Sequence, residues 1–114
     1  MYSFEKLIVW QKAIILIKHI YKLCSKLPSN EERNLIDQIK RASTSIALNI
    51  AEGSGAESRV EYKRYLFMAR KSLYEVVALL RLIESLYSVK TFDTFEQINE
   101  VGKLLNGLIN SKKV

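Results

Sequence analysis

Five cations in the second half of this chain, Arg59, Lys63, Arg64, Arg70 and Lys71, have the types and spacing to act together. At 3.6 residues per turn they fall on one arc of a helix, with Phe67 and Tyr74 among them. Ammonium and guanidinium groups neutralise phosphates, and exposed rings stack on unpaired bases. The same arc reads equally as a solvated basic face whose aromatics help to make a subunit interface. Lys18, Lys22 and Lys26 form a second basic row at i, i+4 and i+8, beside His19; alone, such a row is a solubilising face. These eight cations are the candidate nucleic-acid contacts.

A third set is polar. Gln38, Arg41, Ser45, Asn49 and Glu52 lie within roughly 80° of one another on a helical wheel, flanking Ile36, Ile39, Ile46 and Ile50. One reading is a polar ligand site. The other is an interhelix hydrogen-bond network reaching Ser72 and Glu75, because polar groups on a packed flank must be paired when buried. Such a network sets helix register and subunit orientation at some cost in stability.

The usual parts of a catalytic site are missing. Gly53-Ser54-Gly55 lacks the lysine and preceding strand of a phosphate-cradling loop. Cys24, the single cysteine, sits in an apolar seam, where a buried thiol is inert. His19 is the single histidine and has no Cys or carboxylate at metal-ligand spacing. Helical acid pairs such as Glu96 and Glu100 read as surface charges. The expectation is a protein that is no enzyme and holds no metal or cofactor.

The elements that must position these residues read as four helices in one domain spanning residues 1–114. Hydrophobic residues make up 48% of the chain and charged residues 26%, too apolar for disorder. One Pro and four Gly are too few for a many-turned β architecture. The longest wholly apolar run, Ala13 to Ile17, is far below the ~20 residues of a membrane span. No secretory signal is read at Met1–Trp10, and a lone cysteine fits a reducing compartment, so a cytoplasmic location is expected. The net charge of +6 is concentrated: residues 1–28 carry five Lys and one acid, and residues 59–90 carry seven cations and three acids. A polyanion is a reasonable partner for those two segments.

The first helix repeats apolar residues in two adjacent seams: Leu7, Trp10, Ile14, Ile17, Tyr21 and Cys24, then Val9, Ala13, Leu16, Ile20, Leu23 and Leu27. Together they cover roughly half the wheel, more than the ~100° one bundle core needs, which predicts an oligomer. Pro28 is placed to stop this helix, and Ser29 with Glu32 predicts a capping box opening the second. Gly53 is expected to end the second helix in a left-handed conformation. Small residues between Ala42 and Ala51 allow a neighbouring helix to come close. Ser58 with Glu61 predicts a cap for a third helix running to about Ser88, with core residues from Tyr62 through Leu66, Ala69, Leu73, Val76, Leu80 and Ile83 to Tyr87. Asp93 with Glu96 predicts the start of a fourth, whose Gly102 and Gly107 each cost about 1 kcal/mol relative to Ala. Short connections make sequential helices antiparallel neighbours. The predicted fold is an all-α antiparallel up-down four-helix bundle assembling into a homo-oligomer.

With the second helix laid out, the run Gln38-Ile39-Lys40-Arg41-Ala42-Ser43-Thr44-Ser45-Ile46-Ala47-Leu48-Asn49-Ile50-Ala51-Glu52-Gly53 resembles the signature of the bacterial 23S rRNA intervening-sequence protein family. That family is related to the accessory variability proteins of diversity-generating retroelements. Leu7-Ile8-Val9-Trp10 and the group Ala69, Ser72, Leu73 and Glu75 match as well. Where the family has glycine before the third-helix serine, this chain has Lys71. The resemblance implies an up-down bundle, a homopentamer, no enzymatic activity and an association with RNA or DNA known for some relatives. It leaves open a second role, as a protein-interaction scaffold or accessory subunit of a nucleic-acid enzyme such as a reverse transcriptase.

Overall fold

The computed structural model describes residues 1–111. It holds four α-helices: α1 (Ile8–Cys24), α2 (Asp37–Ser54), α3 (Arg59–Leu86) and α4 (Phe92–Asn110). Among the described residues there is no strand. Each helix packs against two neighbours, in the ring α1–α2–α3–α4. Side-chain pairings show that all four neighbouring pairs are antiparallel. Tyr21 meets Lys40 while Leu7 lies beside Gly53; Ser45 meets Ser72 while Gly53 lies against Tyr65. Arg59 reaches Ser111 and Arg81 stacks on Phe95; Lys12 pairs with Glu100 and Leu23 shares a cleft with Thr94. The result is a rod of 44 × 22 × 22 Å, about the length of α3 at 1.5 Å per residue.

The apolar periodicity explains the core. Val9, Ala13, Leu16, Ile20 and Leu23 of α1 are all buried, and so are Ile36, Ile39, Ile46 and Ile50 around α2. From α3 come Leu66, Ala69, Leu73, Val76, Leu80 and Ile83, and from α4 Ile98, Val101, Leu105 and Ile109. The other α1 seam is only half covered. Leu7, Trp10 and Ile17 pack at the edge of the core, and Tyr21 is exposed. Part of the excess apolar surface expected there is covered from within the chain. A 3-10 turn over Ser3–Lys6 folds back so that the Phe4 ring meets Trp10 edge-on at 4.6 Å.

Several expected helix ends are built differently. Residues Ser29–Glu31 form a 3-10 turn and Glu32–Ile36 a π-helical turn, and no Ser29 capping bond forms. The wide turn lets Leu35 and Ile36 both reach the core before the regular α-helix begins. Helix α1 ends at Cys24, short of Pro28, and Leu27 is buried beyond that end. At the start of α4 the residue in capping position is Thr91 rather than Asp93, and it makes no capping bond to its own helix. Ser58 does cap α3, its Oγ accepting from the Glu61 N–H at 3.1 Å.

Gly53 is the most informative difference. No glycine has positive φ among the described residues, and Gly53 lies inside α2, buried, one residue before its end. Its hydrogen faces α3: a Cβ placed there would stand 2.8 Å from Tyr65 Cβ and 3.1 Å from Tyr62 Cδ1. The residue is needed for close approach of two backbones, not for a left-handed turn. Gly107 has nothing within 4 Å of its would-be Cβ. Gly53→Ala is therefore expected to destabilise by about 1–3 kcal/mol, since overpacking against a Cβ outweighs the helix-propensity gain. Gly107→Ala should stabilise by up to about 1 kcal/mol. Thermal or urea denaturation of the two variants checks both signs.

Candidate functional site

The basic arc of α3 divides when folded. Arg59 Nη2 donates to the Ser111 carbonyl at 2.9 Å, and Arg70 Nη1 donates to Asn106 Oδ1 at 3.0 Å. The Arg70 guanidinium also lies 4.9 Å from the centre of the Phe67 ring. Both arginines are thus engaged with α4 or with a ring of their own helix. Lys63, Arg64 and Lys71 surround an outward patch of Val60, Phe67 and Met68, with Val60 72% exposed. Further along the helix Leu82 and Leu86 are exposed as well, with exposed Lys71, Tyr74, Glu75 and Ala78 between. Tyr74 stands apart, exposed beside a shallow groove shared with Gly102, Lys103 and Asn106 of α4. The seven residues that share an arc in projection therefore form a cation-rimmed apolar strip and two arginine links to α4.

The α1 row behaves differently. Lys18, Lys22 and Lys26 line one side of a cleft of ≈ 450 Å³, with His19 and Leu23 beside them. Lys90, Phe92, Asp93 and Thr94 supply the other side. Lys90 and Phe92 were not candidates in the sequence. The signal that finds them is topological: in an up-down ring the start of α4 must face the end of α1. The linker carrying Lys90 is pinned at both ends. The Tyr87 hydroxyl donates to Glu31, and Thr91 Oγ1 donates to the Glu84 carboxylate. Arg81 adds a bond to Glu84 at 2.8 Å. The bond from Thr91, then that from Arg81, hold the Glu84 carboxyl below its ordinary value of 4.5. The bond to Glu31, more than desolvation, raises the Tyr87 phenol.

The polar set of α2 is joined only in part. Ser45 and Ser72 hydroxyls meet at 3.0 Å across the α2–α3 interface. Asn49 Nδ2 donates to the Ser45 carbonyl at 2.9 Å and to its hydroxyl at 3.1 Å. Gln38 and Arg41 instead turn back along their own helical path, bonding Asn34 and Asp37. Glu52 and Glu75 are exposed. Sequence reasoning grouped all seven because a wheel shows direction but not depth. Ser43, fully buried and bonded to the Lys40 carbonyl at 3.0 Å, escaped it.

No constellation among the described residues suggests nucleophilic or metal chemistry. No group of three or more His, Cys, Asp and Glu could hold a metal ion there. Cys24 is buried; desolvation chiefly raises its thiol, against the pull of Lys40 and with a further rise from Glu32. Among the described residues no helix is long and apolar enough to cross a membrane.

The fold just described has a counterpart in known proteins. The sequence profile of the 23S rRNA-intervening sequence protein family matches residues 5–107. The chain belongs to this family. A crystal structure from Bacteroides thetaiotaomicron, described as a protein of unknown function from the S23 ribosomal protein family, superposes with a TM-score of 0.82. It is 28% identical, and the match covers 91% of this chain and 100% of that one. No match was found among curated proteins. The likeness extends over the whole bundle, in which Ser45 makes the hydroxyl contact from α2 to Ser72 of α3 and Asn49 holds Ser45 from within α2.

Two outcomes follow from the geometry. Glu84 has a depressed pKa in the folded state, so its contribution to stability is present above the unfolded value and is lost as pH falls below 4.5. Thr91→Val should return the carboxyl toward 4.5, read by NMR titration of the side-chain carboxyl carbon. Cys24 should react with a thiol reagent at least ~10-fold more slowly in the native protein than after denaturation.

Proposed function

We propose that this protein is a non-enzymatic homo-oligomer that binds nucleic acid through its basic helix faces. One observation carries the reading: its cations are largely left without carboxylate partners. Ion pairs among the described residues engage Lys12, Arg41 and Arg81. Lys18, Lys22, Lys26, Lys63, Lys71, Lys90 and Arg64 have no such pair there. A surface that keeps so many cations free in a chain of net charge +6 favours a polyanion over solvent. Repetition around a ring multiplies the effect, because contacts made by linked copies reinforce one another.

The oligomer rests on the apolar strip of α3. Val60, Phe67, Met68, Leu82 and Leu86 are exposed along one helix, a concentration of large apolar side chains that a second copy would cover. The sequence pointed to α1 for this surface; α1 contributes exposed Ile8 and Ile15, and α3 the longer strip. A pentamer is the assembly that the family resemblance supports. In this arrangement Lys63, Arg64 and Lys71 rim the subunit contact and stay accessible to phosphates. The same strip favours one other reading, docking of a different protein such as a nucleic-acid enzyme of the reverse-transcriptase kind.

Light scattering at micromolar concentration is expected to show more than one subunit, and Phe67→Glu with Met68→Glu to yield a folded monomer. A wild-type monomer removes the oligomer. Fluorescence anisotropy with RNA and DNA should show affinity falling about 20-fold for single strands, and about 40-fold for duplex DNA, for a fourfold rise in salt if three phosphates are neutralised. Absent or salt-insensitive binding removes the nucleic-acid reading. A partner retained in pull-down after nuclease treatment would favour the scaffold instead.

A further inference from the structure

We propose that the cleft between the C-terminal half of α1 and the start of α4 is a single-strand binding groove, in which four lysines follow the phosphate backbone and Phe92 stacks on an unpaired base. The proposal rests on the nucleic-acid reading above and gives it a place and a substrate class. Lys18 and Lys22 succeed one another on one face of α1, about 6 Å apart along the axis, and Lys26 follows in the turn just beyond its end, lining the same cleft. That rise is close to the separation of neighbouring phosphates in an extended strand. Lys90 faces them across the cleft, so a chain lying between is held from two sides. Asp93 is the single carboxylate lining the cleft, and neither it nor the four lysines enter an ion pair among the described residues.

Phe92 decides the class of ligand. Its ring is 74% exposed at the edge of the cleft, although it lies one residue from buried Thr91 and two from buried Thr94. A large apolar ring kept in water beside four cations has little use in a solvated face. It offers a stacking platform, which accepts any base but requires that the base be unpaired. A flat acidic membrane would meet the lysines yet could not enter the concavity, and a duplex would leave the ring without a base.

The groove is also held in shape before any ligand arrives. Tyr87 bonded to Glu31 and Thr91 bonded to Glu84 anchor the linker on either side of Lys90. Ordering that segment therefore costs little on binding.

The test uses the full chain and fluorescein-labelled oligouridylate, alone and annealed to oligoadenylate. The single strand is expected to bind more tightly than the duplex. Phe92→Ala should weaken single-strand binding by about 10-fold or more with the salt slope unchanged, and Phe92→Tyr should restore it. Lys22→Gln with Lys90→Gln should reduce the slope of log K against log salt by about 1.4, the share of two phosphate contacts. All these positions are exposed, and circular dichroism confirms that the variants fold. If wild-type protein binds but these variants match it while Lys63→Gln with Lys71→Gln weakens binding, the groove is wrong and the wider reading stands. Equal affinity for strand and duplex together with a silent Phe92→Ala overturns the single-strand class. Failure of wild-type protein to bind either probe overturns both.

Discussion

At Gly53 the second and third helices come so near that a single methyl group would stand 2.8 Å from the Cβ of Tyr65. This approach constrains most of the molecule. It is possible because Gly53 carries no Cβ, and Ala42, on the same side of α2, is small and buried. With the two backbones close, Ser45 and Ser72 reach each other at 3.0 Å, and Asn49 is held against Ser45. The α2–α3 pairing is the most extensive in the bundle, and α1 and α4 complete the ring around the apolar residues it leaves facing inward. A larger residue at Gly53 would shift α3 outward and loosen the hydroxyl contact.

Because α3 gives its core stripe to the bundle, its remaining face is the outer one, and that face mixes large apolar side chains with charged ones. Val60, Phe67, Met68, Leu82 and Leu86 have no cover within the chain. Arg64 and Lys71 stand among these residues, and two arginines of the arc are drawn sideways, Arg59 to Ser111 and Arg70 to Asn106. On the opposite side of the molecule α1 presents ammonium groups without apolar neighbours of comparable extent. There the charge is concave, gathered between α1 and the start of α4. Two surfaces with different chemistry thus arise from one packing arrangement, one with exposed apolar side chains on α3 and one cationic and concave beside α1.

Much of this was legible in the residues alone. The heptad-like spacing of Val9, Ala13, Leu16 and Ile20, and of Leu66, Leu73, Leu80 and Ile83, dictates which face of each helix is buried, since apolar burial is roughly proportional to area and insensitive to partner identity. Ser58 was correctly read as a cap because capping is local: donor and acceptor lie three residues apart and need no other element. Ser29 and Thr91 show the limit of that reasoning. Both stand where a cap is favoured, yet neither caps its own helix: Ser29 begins a 3-10 turn that leads into the wide turn seating Leu35 and Ile36, and the Thr91 hydroxyl bonds to Glu84 of α3.

Sequence by itself therefore determined the four helices, their core faces, the concentration of charge on α1 and α3, and membership of the family whose α2 signature it carries. Tertiary structure decided which of those charges stand together. Lys90 and Phe92 join the α1 lysines although they are more than sixty residues away in the chain, because antiparallel packing folds the α3–α4 linker onto the end of α1. Arg59 and Arg70 part from Lys63 and Lys71 because α4 offers carbonyl and amide oxygens on one side only. A helical wheel fixes direction around one axis, whereas electrostatic and hydrogen-bond energies depend on distances between axes, and those exist only once the helices have packed.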